Sequence, residues 1–118
     1  MSTNYYVTPN RPSVCKPIHI GKSSYGWLFL FHAHNEPYEE PPVVWNTYKQ
    51  VFDWLYENTV VKNDFVIMNE YDELVSFDEF VKMVSDKQED EFNSGNPDNF
   101  YDGVRNVDGY RFTDRDFC

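Results

Sequence analysis

The chain has 118 residues and a net charge of −10, and 19% of its residues are aromatic. Nucleic acid and anionic membrane surfaces repel a strongly anionic chain, so we exclude both as direct partners. The aromatic content excludes an intrinsically disordered chain. Only two cysteines are present, Cys15 and Cys118, which excludes a disulfide framework and is typical of a cytosolic protein.

The charge is distributed unevenly along the chain. Residues 1–35 contain no acidic residue and carry +3, whereas residues 36–118 carry seven basic and twenty acidic residues, or −13. We expect a single domain over residues 1–118, because this length supplies one core. We divide it into a basic β-rich head at 1–35, a helix–strand–helix region at 36–87, and an acidic loop with a docked tail at 88–118.

The head is predicted to form a small antiparallel sheet. Residues 5–8 are β-prone. Residues 18–20 form a short strand candidate that ends at Gly21, and residues 21–24 have the composition of a turn. Residues 27–34 are apolar on both faces for most of their length, which is typical of a central strand buried on both sides.

A helix is predicted over residues 43–58, after a proline-rich connector at residues 35–42. Seven residues share one broad apolar face at helical spacing. They are Val44, Trp45, Tyr48, Val51, Phe52, Leu55 and Tyr56. Trp54 lies outside this stripe, so we interpret it either as a cover over a sheet edge or as an exposed contact residue.

A second helix is predicted to begin after Ser76, following a short strand at residues 65–68. Ser76 and Glu79 match a capping box, and Val75 and Phe80 occupy the two positions of a hydrophobic staple. These local signals indicate that Ser76 opens the helix.

The C-terminal part changes character. Residues 86–102 are rich in Asp and Glu and are predicted to form an acidic loop. Residues 109–117 mix aromatic and charged side chains and are predicted to form a final strand or a docked tail. The fold class is therefore predicted to be α+β, with a small antiparallel sheet packed against one or two helices.

A ligand site is one candidate function. The segment Gly21-Lys22-Ser23 matches the end of a phosphate-binding loop, but Lys16 stands where the full motif requires glycine, and a strand follows instead of a helix. Turn amides beside a lysine can still hold an anion. The alternative is therefore a protein that sequesters a phosphorylated ligand or nucleotide. The candidate residues are His19, Gly21, Lys22, Ser23, Ser24 and His32.

A metal site is the weaker candidate. Cys15, His19, His32 and His34 have side chains that suit zinc, and His32 and His34 would project from one face of a strand. Their spacing matches no standard zinc finger. We predict no metal ligand and no cofactor, and keep a degenerate zinc-binding structural module as an alternative.

Catalytic patterns are not evident in the sequence. Acidic pairs such as Asp72 and Glu73 are neighbours with nothing that marks them as acid and base, and no serine or cysteine lies in a nucleophile elbow. We therefore expect no enzymatic activity.

The acidic stretch dominated by residues 70–102 predicts a docking surface for a basic protein. Charge would set the encounter rate and aromatic side chains would anchor the complex. If the partner surface normally holds nucleic acid, the chain would act as a partial mimic of it. The alternative is an acidic surface that only maintains solubility. The candidate contact residues are Trp54, Tyr71, Glu89, Asp90, Glu91 and Phe92. A homodimer is a further alternative, because an exposed aromatic such as Trp54 could form a self-interface.

Two runs, Asn4-Tyr5-Tyr6-Val7 and His19-Ile20-Gly21-Lys22-Ser23-Ser24-Tyr25-Gly26-Trp27, are followed by Phe29 and His32. They resemble a family of small uncharacterised proteins encoded by tailed bacteriophages. Residues 67–76 resemble the later strand, turn and helix start of that family. The family has a C-x-x-C loop before the second run, and only Cys15 is present here. The resemblance implies a phage protein acting in the host cytoplasm. Our leading hypothesis is an accessory protein that binds and inhibits a host or host-defence protein.

Overall fold

A computed structural model describes most of the chain. The described residues are 2–10, 17–24, 29–38, 42–89, 104–107 and 110–113. Within these ranges the side chains of Ser2, Ser24, Gln88, Glu89 and residues 104–106 are not described. Among the described residues, neither helix combines the length and apolarity that crossing a bilayer requires.

Within these residues the chain forms nine strands, two α-helices and one π-helical turn. In chain order they are β1 (Ser2–Pro9), β2 (Ile18–Ser24), β3 (Leu30–His32), β4 (His34–Glu36), β5 (Val43–Trp45), α1 (Tyr48–Leu55), the π-helical turn (Tyr56–Val61), β6 (Phe65–Asn69), β7 (Leu74–Val75), α2 (Phe77–Glu89), β8 (Val104–Val107) and β9 (Tyr110–Thr113).

Seven of the strands form one sheet in the order β7-β6-β1-β2-β3-β9-β8, and β4 and β5 form a separate hairpin. β3 and β9 are parallel, and the other neighbouring strands are antiparallel. The predicted α+β class is confirmed. The sheet is larger than the small antiparallel sheet that we predict. It is mixed because the final strand, β9, pairs in parallel with β3.

Both helices pack on the same face of the large sheet, through aromatic rings. The Phe80 ring of α2 lies edge-on to Phe29 at 5.5 Å and to Tyr5 at 5.7 Å between centroids. The Tyr48 ring of α1 lies 5.6 Å from Phe31. Phe29, Phe31 and Phe80 are almost completely buried. Aromatic rings stabilise a core strongly, because each buries a large apolar area and because edge-to-face contacts add to this stabilisation.

The prediction of a helix from residue 43 is wrong at its start. Val43–Trp45 instead form β5, paired with β4, which also corrects the connector predicted at residues 35–42. α1 begins at Tyr48, because Thr47 is its N-cap and the Thr47 hydroxyl accepts a hydrogen bond from Gln50 N. β-branched valines after two prolines favour extended backbone. Trp45 is therefore a buried residue of a strand and not of a helix.

The far end of α1 also differs from the prediction. The helix widens into the π-helical turn, in which Lys62 N donates to Glu57 O at 2.9 Å, five residues back. Asn63 follows in the left-handed region with φ 56°, a common way to end a helix. The wider turn carries Val60 and Val61 out to the surface.

The strand at residues 65–68 and the start of α2 are confirmed. Glu79 N donates to Ser76 Oγ at 3.1 Å, and Ser76 N donates to Glu79 Oε1 at 3.5 Å, which together form the capping box. Phe80 is buried, and Val75 packs against the same core cluster. Residues 109–117 are confirmed as a strand over Tyr110–Thr113. The predicted acidic loop at residues 86–102 is wrong at its start, because residues 86–89 continue α2, and residues 90–102 lie outside the described part.

The capping box supports a first prediction. Replacing Ser76 with Ala removes the acceptor for Glu79 N, and we expect the free energy of unfolding to fall by about 1 kcal/mol. Urea denaturation followed by circular dichroism measures this. The Ser85→Ala variant, in the exposed middle of α2, is the control and should be neutral. Equal midpoints for the two variants would contradict a capping role for Ser76.

Residues 21–24 form strand and not turn, which is a second correction. β2 continues to Ser24, with Gly21 paired to Tyr5 on one side and to Phe31 on the other. The register shifts at Ile20, which forms a β-bulge. A Cβ built on Gly21 would lie 2.2 Å from Leu30 O and 2.5 Å from the Phe29 ring. Glycine is needed here because the β3 backbone approaches closely, not because the chain turns.

The predicted strand over residues 27–34 is confirmed only in part. Within the described residues it becomes β3 and β4, with Ala33 between them. Ala33 N donates to Thr113 O at 2.9 Å, so this break still bonds to β9. Beyond Ala33 the chain leaves the large sheet to form the separate hairpin.

Candidate functional site

The three histidines come together on the face of the sheet opposite the helices. The His19 and His32 ring centroids lie 5.6 Å apart, and His32 stacks on His34 at 4.4 Å. Tyr6 stacks on His19 at 4.9 Å. The structure therefore brings together two of the predicted ligand residues, His19 and His32. Gly21 is not in this group, because its missing side chain would point at the core.

Hydrogen bonds to backbone carbonyls orient two of these rings. His32 Nδ1 lies 2.7 Å from Ala33 O, and His34 Nε2 lies 2.8 Å from His19 O. A carbonyl oxygen only accepts, so His32 Nδ1 and His34 Nε2 both donate, which fixes the tautomer and orientation of each ring. No group of three or more His, Cys, Asp or Glu that could hold a metal occurs in the described ranges. Cys15 lies outside them.

The predicted anion site loses its structural premise. A cradle needs successive amides of a turn that converge on one point. In β2 the amides of Lys22 and Ser23 belong to an extended strand, and successive strand amides point to opposite edges. The Ser24 side chain lies outside the described part. The described residues therefore offer no anion cradle between Gly21 and Ser24.

Trp54 packs between the hairpin and the large sheet. Its ring lies 5.3 Å from Trp45 and 5.4 Å from Phe65, and its Nε1 donates to Pro42 O at 3.1 Å. These contacts match the first of the two interpretations, a cover over other elements. The ring remains partly exposed.

The other predicted contact residues divide into two groups. Tyr71 is 58% exposed at the turn between β6 and β7. The Glu89 side chain, Asp90, Glu91 and Phe92 lie outside the described residues. The described part of the predicted docking surface is therefore the region around Tyr71.

Residues 70–79, which we call the acidic tip, concentrate negative charge at one end of the sheet. They contain five acidic residues and no basic residue, and all five are exposed. The five are Glu70, Asp72, Glu73, Asp78 and Glu79. Tyr71 and Leu74 are exposed among them, and the Leu74 side chain is 70% exposed. The acidic tip thus combines charge of one sign with exposed apolar side chains, and charge of one sign favours a partner surface of the opposite sign.

Hydrogen bonds hold the turn of the acidic tip in one conformation. Asn69 Oδ1 accepts from Tyr71 N at 2.9 Å and from Glu73 N at 3.1 Å. Asn4 N donates to Glu70 Oε1 at 2.8 Å, and Glu70 N donates back to Asn4 O at 2.9 Å. Positioning charges in advance lowers the entropy cost of binding.

The field of the acidic tip reaches the core. Burial, followed by the negative charge of Glu73, raises the pKa of Tyr5, which lies on β1 opposite Asn69. The carboxylate of Glu73 therefore adds to the effect of burial in disfavouring ionisation of this phenol.

An apolar groove of about 530 Å³ lies beside the acidic tip, and the sequence analysis missed it. Its walls come from the π-helical turn, the β6–β7 edge and the start of α2. It is lined by residues that include Tyr56, Val60, Phe65, Leu74, Phe77 and Asp78. The only sequence signal was the run Val60-Val61, which breaks the helical period just before Lys62. Val60 is 49% exposed, which is high for an aliphatic side chain in a structured segment.

A stacked tyrosine pair supports a prediction about pH. Tyr48 stacks on Tyr110 at 4.2 Å, and burial together with Tyr110 raises the pKa of Tyr48 from 10.0 to about 12. The folded state thus holds the phenol proton more tightly than the unfolded state.

The resulting stabilisation of the folded state is complete below pH 10 and is lost as the pH rises towards 12. We expect Tyr48→Phe to reduce the alkaline loss of stability, measured by urea midpoints from pH 8 to pH 12 with Tyr38→Phe as control. Identical pH profiles for Tyr48→Phe and the unaltered chain would contradict this.

Comparison with protein-family models, with curated proteins and with solved structures gives no match. The geometry described above is therefore the basis of the functional proposal. Of the sites considered, the acidic tip is the one whose residues are exposed, ordered and chemically distinct.

Proposed function

We propose that this chain is a phage accessory protein that binds and inhibits a host or host-defence protein in the host cytoplasm. The acidic tip would dock on a basic surface of that protein. The observation that carries the proposal is the set of five exposed carboxylates, with no cation among them, around the exposed Tyr71 and Leu74. The resemblance of residues 4–32 to a phage family supplies the biological context.

Inhibition would follow from occupation of the basic surface. Electrostatic attraction would speed the encounter, and Tyr71 would supply an anchor that charge alone lacks. If the basic surface normally holds nucleic acid, the acidic tip would compete for it as a partial mimic. Because salt screens exposed charges, such a complex should weaken as ionic strength rises.

The test neutralises the acidic tip without changing its shape. The triple variant Asp72→Asn, Glu73→Gln and Asp78→Asn keeps side-chain size, and Asn tolerates the left-handed conformation of residue 72. It removes three negative charges, so the net charge changes from −10 to −7. A matched control, Glu36→Gln, Asp53→Asn and Asp86→Asn, makes the same change at exposed sites outside the acidic tip.

Each tagged protein is used to capture partners from host lysate at low and high salt, with identification by mass spectrometry. We expect a basic protein that the unaltered chain and the control retain at low salt and release at high salt. The acidic-tip variant should bind it at least about tenfold more weakly, equivalent to about 1.4 kcal/mol. Equal retention by the two triple variants, or capture of no specific protein, would overturn the proposal.

A further inference from the structure

At one edge of the large sheet, beside the acidic tip, β6 extends beyond its short partner β7. β7 is two residues long and pairs only with Ile67 and Met68 of β6. Among the described strands, none pairs with Phe65 or Val66 on that edge. An unpaired strand edge is a template for a further strand, and extended peptides commonly bind in this way.

The apolar groove runs along the same edge. Leu74 of β7 lines the groove, as do Val60 and Tyr56 of the π-helical turn. The Tyr56 side chain is 46% exposed. Exposed apolar side chains gathered beside one groove mark an interaction site more often than isolated ones do. The groove therefore offers apolar contacts next to a strand edge that is open to pairing.

Charge determines which segment fits. Asp78 and Glu79 line the groove and are exposed, and Glu73 and Asp72 lie in the turn before Leu74. Side chains of an added strand would alternate between the two faces of the sheet. Positive side chains would meet these carboxylates, whereas negative ones would be repelled.

We propose that the apolar groove binds an extended segment of a partner protein in which apolar side chains alternate with lysine or arginine. The segment adds a strand beside Phe65 and Val66, places apolar side chains against Leu74 on the face opposite the helices, and directs its cations towards Asp78 on the helix face. This inference rests on the proposed function, because it names the part of the basic partner that the acidic surface binds.

The first test uses short random peptides, displayed and selected on the immobilised full-length chain, and needs no host protein. We expect selected sequences to alternate apolar residues with Lys or Arg. Synthetic copies should shift the amide resonances of Phe65, Val66 and Leu74 in ¹⁵N–¹H spectra. No enrichment, enrichment of acidic or uncharged sequences, or shifts confined to other elements would overturn the inference.

The second test measures the affinity of the best peptide for two variants. Leu74→Arg places a cation in the groove at an exposed position, whereas Tyr38→Arg makes the same charge change at an almost fully exposed residue that does not line the groove. We expect the dissociation constant to rise about tenfold for Leu74→Arg and to stay unchanged for Tyr38→Arg. Equal constants for the two variants would overturn the groove as the binding site.

Failure of this inference and failure of the proposed function are separable. Suppose that the variant with a neutralised acidic tip no longer binds the host protein, but the Leu74→Arg variant still does. This result would support the proposed function and contradict the groove as the binding site. Basic peptides bound in the groove, with no host protein captured, would support the groove and overturn the proposed function.

Discussion

Gly21→Ala is expected to destabilise the protein by about 3 kcal/mol or more, a large part of the total stability of a domain this size. The added methyl group would lie 2.2 Å from Leu30 O and 2.5 Å from the Phe29 ring. Both atoms belong to the centre of the fold, one to the β3 backbone and one to a fully buried ring. Relief of the overlap requires β2 and β3 to separate, which weakens their pairing. Urea denaturation and the dispersion of ¹⁵N–¹H spectra measure the loss.

The control for this prediction is Ser23→Ala, two residues further along β2. Ser23 is partly exposed, so removal of its hydroxyl should change the free energy of unfolding by less than about 1 kcal/mol. The comparison separates close packing from turn geometry, since a glycine needed only for a turn costs about 1 kcal/mol when replaced. A loss of that smaller size at Gly21 would contradict the packing described here.

Trp45→Phe is expected to lower the free energy of unfolding by about 3 kcal/mol. The Trp45 ring is fully buried, and its Nε1 donates to His32 O at 2.7 Å. Phenylalanine removes this donor from a buried carbonyl, at a cost of about 1–3 kcal/mol. It also leaves a small cavity between His34 and Trp54, whose rings each lie 5.3 Å away.

Trp54→Phe is the matched control. The Trp54 Nε1 also donates to a carbonyl, that of Pro42, but in an exposed setting where water can replace the lost donor. We expect a loss below about 1 kcal/mol, measured by the same urea titration. If the two variants were equally destabilised, the hairpin formed by β4 and β5 would not hold Trp45 in the core.

Sequence reasoning succeeded where the interactions are local. The capping box joins residues three apart, and the β6 strand is recognised by its own apolar residues. Local composition likewise located the charge of the acidic tip. Each of these features follows from side-chain chemistry within a few residues, so no knowledge of distant partners is needed.

Sequence reasoning failed where a distant segment decides the outcome. Val44 and Trp45 fit a helical stripe, but pairing with Asn35 and His34 draws them into a hairpin. Gly21 has the neighbours of a turn, but pairing with Tyr5 and Phe31 makes it part of a strand. Tertiary contacts override local propensity in both places, as is usual for short segments whose own preferences are weak.

The candidate site shows the same division. The sequence by itself determined that residues 70–79 are acidic and contain an aromatic residue, Tyr71, because charge and turn composition are properties of neighbouring residues. Only the tertiary structure decided that the π-helical turn, a short edge strand and the start of α2 meet to form a groove beside them. A groove is a space between elements that are distant in sequence, and its shape depends on how those elements pack, which no local pattern encodes.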